Sequence, residues 1–167
     1  MGVDEHRCKA PKSVSMAIIT VSDTRTDKDD ASGDAIIALA SAAGHRIVRK
    51  AIVKDDVHEI QRALRELFED KDVQVVVMNG GTGVTKRDVT LEAVSHFEEK
   101  PIPGFGELFR ALSYQEVGSA AMLSRAAAFV SEGKVVFCLP GSERAVRLGV
   151  SKLILPELGH VVWEVGR

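Results

Sequence analysis

The stretch "VVVMNGGTGVTKRDVT", residues 75–90, joins an apolar run to a glycine-rich segment and then to a candidate helix start. The apolar run is typical of a strand that is buried on both faces. The glycines after it accept positive φ and let backbone N–H groups come close to a ligand. A strand, a glycine loop and a helix start in this order direct N–H groups toward an anion.

Two common phosphate loops are excluded by counting. A P-loop needs Gly, four residues and then Gly-Lys-Ser/Thr, but Thr85 stands at the position after the four residues that follow Gly80. A dinucleotide loop of the Gly-x-Gly-x-x-Gly type fits Gly81 and Gly83 but has Lys86 at the third glycine. If the loop binds a phosphate, it does so in another way.

Two interpretations of this loop are open. In one it is a tight strand-to-helix turn, with Arg87 and Asp88 as solvated surface charges. In the other it holds a phosphate, and the Asp88 carboxylate would repel that phosphate unless a cation bridged them. Mg²⁺ fits that position, because it is often bound by one or two carboxylates together with substrate phosphates.

The rest of the chain alternates between strand and helix patterns. We predict strands at residues 16–21, 45–53, 73–78 and 134–139, and a final short strand at 161–165. We predict helices at 35–43, 90–97, 104–117 and 143–153, and one after the near-capping-box "DVHE" at 56–59. Wholly apolar strands between helices indicate a three-layer α/β/α sandwich with a mostly parallel, Rossmann-like sheet.

In such sheets, ligands bind beyond the carboxyl ends of the strands. Polar loops at 22–34, 79–88 and 140–142 each follow a predicted strand, so we expect all three at one edge of the sheet. The segment 118–130 is small and apolar with one charge, which suits a core helix or a subunit contact.

Composition sets outer limits on function. A chain of 167 residues fits one domain, and we assign residues 1–15 to a flexible arm and 16–167 to the domain. The net charge of −2 gives no overall attraction to nucleic acid or to an anionic membrane. Only Cys8 and Cys138 are present, the first residues have no signal-peptide pattern, and no apolar run is long enough to span a bilayer. These features predict a cytoplasmic protein.

Several blocks in order resemble one family. The loop "NGGTGVTKRDVT" resembles the signature of molybdenum cofactor biosynthesis proteins of the MoaB/MogA type. "APKSVSMAIITVSDTR", "DDASGD", "PIPGFGELFRALSYQEVGSAAMLSRA" and "LPGSERAVRLG" resemble further blocks of that family, over about residues 10–165. The leader at 10–14 favours the MoaB branch.

The resemblance implies a molybdopterin-binding α/β domain that forms a homotrimer or a hexamer of two trimers. It implies an adenylyltransferase that joins AMP from ATP to the terminal phosphate of molybdopterin with Mg²⁺, for a downstream molybdenum-insertion protein. It also leaves an alternative, since some MoaB members bind the pterin with little activity and would act as carriers.

The resemblance carries over to individual residues. Asp88 matches the family's loop aspartate and Asp55 a second carboxylate, and both are expected to be catalytic and to hold Mg²⁺ through substrate phosphates. An alternative for Asp55 is that it or Asp56 only caps the next helix, and we divide the roles by giving the cap to Asp56. Thr90 is predicted to cap the following helix. The other candidate substrate-binding residues are Ser22, Asp23, Thr24, Gly80, Gly81, Thr82, Gly83, Arg87, Pro103, Gly104, Phe105, Ser124, Arg125, Gly141 and Ser142.

Alternatives stay open for some of these residues. Ser22 to Thr24 could face the pterin or form an Asx-type turn. Phe105 could pack on a flat ring or fill the core. Arg125 is a phosphate ligand or part of an interface ion pair, and we favour the ligand.

The chain departs from the family pattern at two positions. Glu143 stands where the family usually has proline, and it brings negative charge to a place where substrate phosphate would sit. This favours the carrier alternative. Leu91 also replaces a frequent proline, which is conservative at a first helical position.

Overall fold

A computed structural model describes residues 10–167, and its centre is one six-stranded sheet. The strands are β1 (Ser15–Val21), β2 (Arg46–Val53), β3 (Val75–Asn79), β4 (Lys100–Pro101), β5 (Ala127–Ser131) and β6 (Lys134–Leu139). Their spatial order is β2-β1-β3-β6-β5-β4. β2, β1, β3 and β6 run parallel to one another, and β5 is antiparallel to both of its neighbours, β6 and β4. The mostly parallel sheet was predicted correctly.

The helices follow the strands in sequence. They are α1 (Ala31–Ala42), α2 (Val57–Glu69), α3 (Thr90–Val94), α4 (Pro103–Val117), α5 (Glu143–Gly149) and α6 (Leu155–Val165). Short 3₁₀ turns at Ser95–Phe97 and Gly118–Leu123 extend α3 and α4, and a π turn at Val150–Ile154 joins α5 to α6.

Alternate side chains of each central strand enter two separate cores. On one face, Met16 and Ile18 of β1 pack in the core that contains α1, α4, α5 and α6. On the other face, Ala17 and Ile19 pack in the core that contains α2 and α3. Because both faces are covered, most positions of the central strands β1, β3 and β6 have to be apolar, as their sequences are. The predicted three-layer sandwich is confirmed.

Two parts of the prediction were wrong. The run at 161–165 lies inside α6, where Val161, Val162 and Val165 pack on the core around buried Leu158 at helical spacing. The segment 118–130 is not one helix, because it holds a 3₁₀ turn and then strand β5. The strands β4 and β5 were missed, since "KP" is too short to read and "AAFVS" has no alternation of polar and apolar residues.

Acidic side chains cap the N-termini of α1 and α2, and one of these two caps was predicted. The Asp56 carboxylate accepts the N–H groups of His58 and Glu59 and caps α2, as expected. Asp30 caps α1 through the N–H of Gly33, so that helix begins four residues before the predicted start. Thr90 is the first residue of α3 rather than its cap, and its buried hydroxyl donates to the Gly80 carbonyl at 2.8 Å.

The N-terminal boundary lies earlier than residue 16. Val14 is fully buried in the core, and the Ser13 hydroxyl donates to the Gly44 carbonyl. The first nine residues of the predicted arm, including Cys8, lie outside the described residues. Cys138 is buried in β6, and burial raises the pKa of its thiol to about 12. Within residues 10–167 no helix has the length and apolarity needed to cross a bilayer.

Candidate functional site

An open groove of about 580 Å³ lies where β1, β3 and β6 end side by side. These strands are parallel neighbours, so the three loops that follow them meet at one edge of the sheet, as predicted. The groove is lined by Val21, Ser22, Thr24, Arg25, Asp55, Gly80, Gly81, Thr82, Gly83, Arg87, Asp88, Leu123, Ser124, Pro140, Gly141 and Ser142.

Glycine is required where the loops approach each other. Gly80 has φ +99°, and a Cβ there would lie 2.2 Å from the carbonyl oxygen of Val21. A Cβ on Gly141 would lie 3.1 Å from the Gly80 Cα. The ends of three strands therefore pack backbone against backbone under the groove.

Backbone N–H groups of residues on two sides of the groove have no hydrogen-bond partner in the part of the chain that the structure describes. Within residues 10–167, the N–H groups of Gly81, Thr82, Gly141 and Ser142 make no hydrogen bond. Unsatisfied backbone donors at a wetted groove are available to a ligand oxygen. The net charge of the chain is negative, so this local arrangement is what could hold an anion.

Asp88 closes the glycine loop. Its carboxylate accepts the Thr85 amide at 2.8 Å and the Thr85 hydroxyl at 2.6 Å. Burial opposes ionisation, but these hydrogen bonds and the nearby Gly83 amide outweigh it, so the pKa of Asp88 is lowered below 3.8. Asp88 is therefore ionised at neutral pH and lines the groove.

Asp55 has a different electrostatic setting. It lies in the loop after β2, and burial together with the neighbouring charge of Asp23 raises its pKa above 3.8. Asp23 accepts the Asp55 backbone N–H at 3.1 Å and forms an ion pair with Arg87. The ion pair holds the pKa of Asp23 below its usual value. Ser22 accepts the Thr24 and Arg25 amides, which is the turn that was one of the two interpretations.

Arg125 does not line the groove, but it binds the glycine loop that does. Its guanidinium pairs with Glu92 and donates to the carbonyl oxygens of Thr82 and Asp88, each at 3.2 Å. These contacts fasten both ends of the glycine loop within the chain. The adjoining Ser124 does line the groove.

The loop after β6 leads into Glu143, which is one of the two departures from the family pattern. The Ser142 hydroxyl accepts the Ala145 amide and caps α5, and Ser142 lines the groove. The Glu143 carboxylate pairs with Arg147 at 2.7 Å and does not line the groove. The Glu143 charge therefore has a counter-charge outside the groove lining.

Besides Asp23 and Arg125, three more predicted residues do not line the groove. Phe105 is buried in the core, with its ring centroid 5.1 Å from that of Phe137 and 6.4 Å from that of Phe109. Pro103 and Gly104 begin α4 and do not line the groove. Of the two interpretations for Phe105, the structure supports the core residue.

Sequence reasoning missed Arg25, which lines the groove beside Gly141. Its guanidinium donates to the Gly141 carbonyl at 2.8 Å and lies 3.7 Å from buried Asp30. The position of an arginine in a polar loop directly after a strand was the signal that could have found it. Asn79 was also missed: its amide nitrogen donates to the buried Thr20 hydroxyl, and its buried Oδ1 has no partner among the described residues.

The groove fits Mg²⁺ only in combination with a ligand. Among residues 10–167, no three His, Cys, Asp or Glu side chains are grouped so that they could hold a metal ion. Asp55 and Asp88 both line the groove and offer hard oxygen ligands. Mg²⁺ commonly takes one or two carboxylates plus substrate phosphates, so this donor set fits a metal that arrives with a polyphosphate.

Comparison with known proteins identifies the family. Residues 17–160 match the family described as "Probable molybdopterin binding domain". The chain belongs to this family. It is 54% identical to "Molybdenum cofactor biosynthesis protein B" of Bacillus cereus, over all of this chain and 99% of that protein, and 49% identical to the Bacillus subtilis protein of the same name, over 99% and 98%.

Solved structures agree with this assignment. A crystal structure of a molybdenum cofactor biosynthesis protein B has a TM-score of 0.90 and 55% identity, covering 93% of this chain and 98% of that one. The tungsten cofactor synthesizing protein MoaB from Pyrococcus furiosus has a TM-score of 0.86 and 40% identity, covering 95% and 100%. The chain is therefore a member of the MoaB family, and the resemblance seen in the sequence is confirmed.

Proposed function

We propose that this MoaB family member acts in molybdenum cofactor biosynthesis by transferring AMP from Mg-ATP to the terminal phosphate of molybdopterin, releasing pyrophosphate. The observation that carries the proposal is the set of unbonded N–H groups of Gly81 and Thr82 beside the ionised carboxylate of Asp88. The amides suit phosphate oxygens, and the carboxylate suits a cation that accompanies them.

The reaction needs little from the protein beyond placement and charge stabilisation. A terminal phosphate oxygen of molybdopterin attacks the α-phosphorus of ATP, a new P–O bond forms, and the bond to pyrophosphate breaks. That oxygen is already anionic near neutral pH, so no general base is required. The amides of Gly81, Thr82, Gly141 and Ser142 would hold the two anions close and stabilise the charge that develops between them.

Asp55 and Asp88 would hold Mg²⁺ through the substrate phosphates, and the ion would supply charge neutralisation between the anions. Asp55 must lose its proton for this role. Its raised pKa makes it the more acid-sensitive of the two carboxylates.

The alternative is a carrier that binds the pterin without transferring AMP. Glu143 pairs with Arg147 outside the groove, so it does not oppose a bound phosphate. Incubation with ATP, Mg²⁺ and molybdopterin separates the two functions. Pyrophosphate release that Asp88→Asn abolishes supports the adenylyltransferase. Tight pterin binding without release supports the carrier.

We also propose a closed homo-oligomer, a trimer or a pair of trimers. The support is a group of exposed apolar side chains on α4 and the 3₁₀ turn after it, namely Leu108, Tyr114, Val117, Met122 and Leu123. Clustered exposed apolar surface is typical of protein contacts. Light scattering at micromolar concentration is expected to give a multiple of 18.0 kDa, and Met122→Asp is expected to reduce it. A monomer mass for the wild-type protein would contradict this.

The cytoplasmic location and a downstream molybdenum-insertion protein as recipient complete the proposal. The location rests on the sequence features described above, and the recipient protein rests on the family resemblance.

A further inference from the structure

Arg25 links two walls of the groove that are far apart in sequence. It lies in the loop after β1, where the Ser22 hydroxyl accepts its backbone N–H at 3.2 Å. One arm of its guanidinium donates to the Gly141 carbonyl at 2.8 Å in the loop after β6. The other arm donates to the Ser32 hydroxyl in α1.

This link is anchored in the protein interior. Asp30 is fully buried, and its carboxylate lies 3.7 Å from the Arg25 guanidinium and 3.1 Å from the Lys50 ammonium. The same carboxylate accepts the Thr20 hydroxyl at 2.9 Å and the Gly33 amide at 3.0 Å. The partners Thr20, Gly33 and Lys50 belong to β1, α1 and β2, so three elements of the fold hold the carboxylate beside Arg25.

The contact with Gly141 sets the direction of the next amide. In a trans peptide the C=O and the following N–H point in opposite directions, and the described chain has no cis peptide. When Arg25 holds the Gly141 carbonyl, it therefore also fixes the direction of the Ser142 N–H. Ser142 lines the groove, and its N–H has no partner within residues 10–167.

We propose that Arg25 is a positioning residue of the groove. By donating hydrogen bonds to both Gly141 and α1, it orients the Gly141–Ser142 peptide for an incoming phosphate group. The inference deepens the proposed function and rests on it, because it assumes that the groove holds a polyphosphate. Arg25 acts here through the geometry of its two donors rather than through its positive charge alone.

Binding of inorganic pyrophosphate with Mg²⁺, measured by calorimetry on the full chain, tests this without requiring turnover. Arg25→Ala is expected to weaken binding by about tenfold or more, the scale of one lost charge-assisted hydrogen bond. Arg25→Lys keeps the charge but loses the fork, so most of the loss is expected to remain. Ser32→Ala removes one acceptor of the fork at a buried position outside the groove, and it is expected to weaken binding by about threefold, a smaller loss in keeping with one neutral hydrogen bond.

The matched control is Arg62→Ala on α2, where an exposed arginine pairs with Glu59 away from the groove. Its pyrophosphate affinity is expected to equal that of the wild-type protein. If Arg25→Ala fails to fold, Arg25→Lys and Ser32→Ala still decide the question. Full recovery with lysine, or wild-type affinity in Ser32→Ala, would overturn the positioning role.

The outcomes also separate this inference from the proposed function. Pyrophosphate binding that depends on the Arg25 fork, in a protein that never transfers AMP, supports the positioning role and counts against adenylyl transfer. AMP transfer that is unaffected by Arg25→Lys and Ser32→Ala overturns the positioning role alone. A wild-type groove that binds no pyrophosphate overturns both.

Discussion

The carboxylate of Asp23 accepts the backbone N–H of Asp55 at 3.1 Å, so the loop after β1 sets the position of the loop after β2. The same carboxylate pairs with Arg87 from the glycine loop. Asp23 therefore joins three loops around the groove, although it does not line the groove itself. Its negative charge also helps to raise the pKa of Asp55.

Replacement of Asp23 tests this connection. Asp23→Ala frees the Asp55 amide and Arg87, and we expect Mg²⁺-dependent nucleotide affinity to fall by about tenfold, in keeping with a lost hydrogen bond to a charged group. Stability is expected to change little, because the ion pair is largely exposed. Asp72→Ala, in the exposed turn before β3, is the control. Equal affinities in calorimetric titrations of the three proteins would show that Asp23 does not position Asp55.

The two candidate metal ligands are expected to titrate in a fixed order. As pH falls from neutrality, Asp55 should take up its proton above pH 3.8 and Asp88 only below it. Carbon-detected NMR of the side-chain carboxyl groups measures both midpoints. Coincident midpoints, or the reverse order, would contradict the electrostatic description of the groove.

The sign of the stability effect differs between these two groups. The lowered pKa of Asp88 means that its stabilising contribution is present above pH 3.8 and is lost as pH falls through the folded-state value. The raised pKa of Asp55 works oppositely, so protonation of Asp55 favours the folded state. We therefore expect Asp55→Asn to be more stable than the wild-type protein near neutral pH, because the destabilising ionised carboxylate is gone. The same substitution should impair Mg²⁺-dependent binding.

Two glycines give a matched pair for stability. In Gly80→Ala a Cβ would meet the Val21 carbonyl oxygen at a backbone φ of +99°. We expect the free energy of unfolding to fall by about 3 kcal/mol or more. Gly104→Ala adds a Cβ in open space within α4 and should be neutral or stabilising by up to about 1 kcal/mol. Denaturant unfolding measures both, and a Gly80→Ala variant as stable as Gly104→Ala would refute the close packing of the strand ends.

Arg125 and Glu92 should have unequal effects, although they form one ion pair. Arg125→Ala removes the donors to the Thr82 and Asp88 carbonyl oxygens, whereas Glu92→Gln leaves those two contacts in place. We expect faster amide hydrogen exchange across residues 80–88 in Arg125→Ala and little change in Glu92→Gln. Equal exchange in both variants would show that the ion pair, rather than the two backbone contacts, orders the loop.

Much of the fold could be predicted because local and global signals agreed. β1, β3 and β6 are mostly apolar and each leads into a polar loop, so their burial and shared edge followed from the sequence. The segment at 161–165 was predicted wrongly because five residues of mostly apolar chain fit a strand as well as a helix. The helix was decided by Leu158 packing against the core, which is a tertiary contact.

The candidate site divides in the same way. The glycine loop, Asp55 and Asp88 could be predicted, since the motif itself carries them. The role of Arg125 as a support and the direction of Glu143 depend on which partner each side chain reaches, at separations that range from four to 43 residues. The position of Arg25 in the groove becomes evident only from its contact with Gly141, which is 116 residues away in the sequence. Such partners cannot be read from one sequence.

The central claim is that the glycine-loop amides and the neighbouring carboxylates hold a magnesium polyphosphate. A crystal structure with Mg²⁺ and a non-hydrolysable ATP analogue tests it most directly. We predict phosphate oxygens within hydrogen-bonding distance of the Gly81 and Thr82 N–H groups, and the metal between those phosphates and Asp88. A nucleotide bound elsewhere, with these amides facing only solvent, would contradict the account.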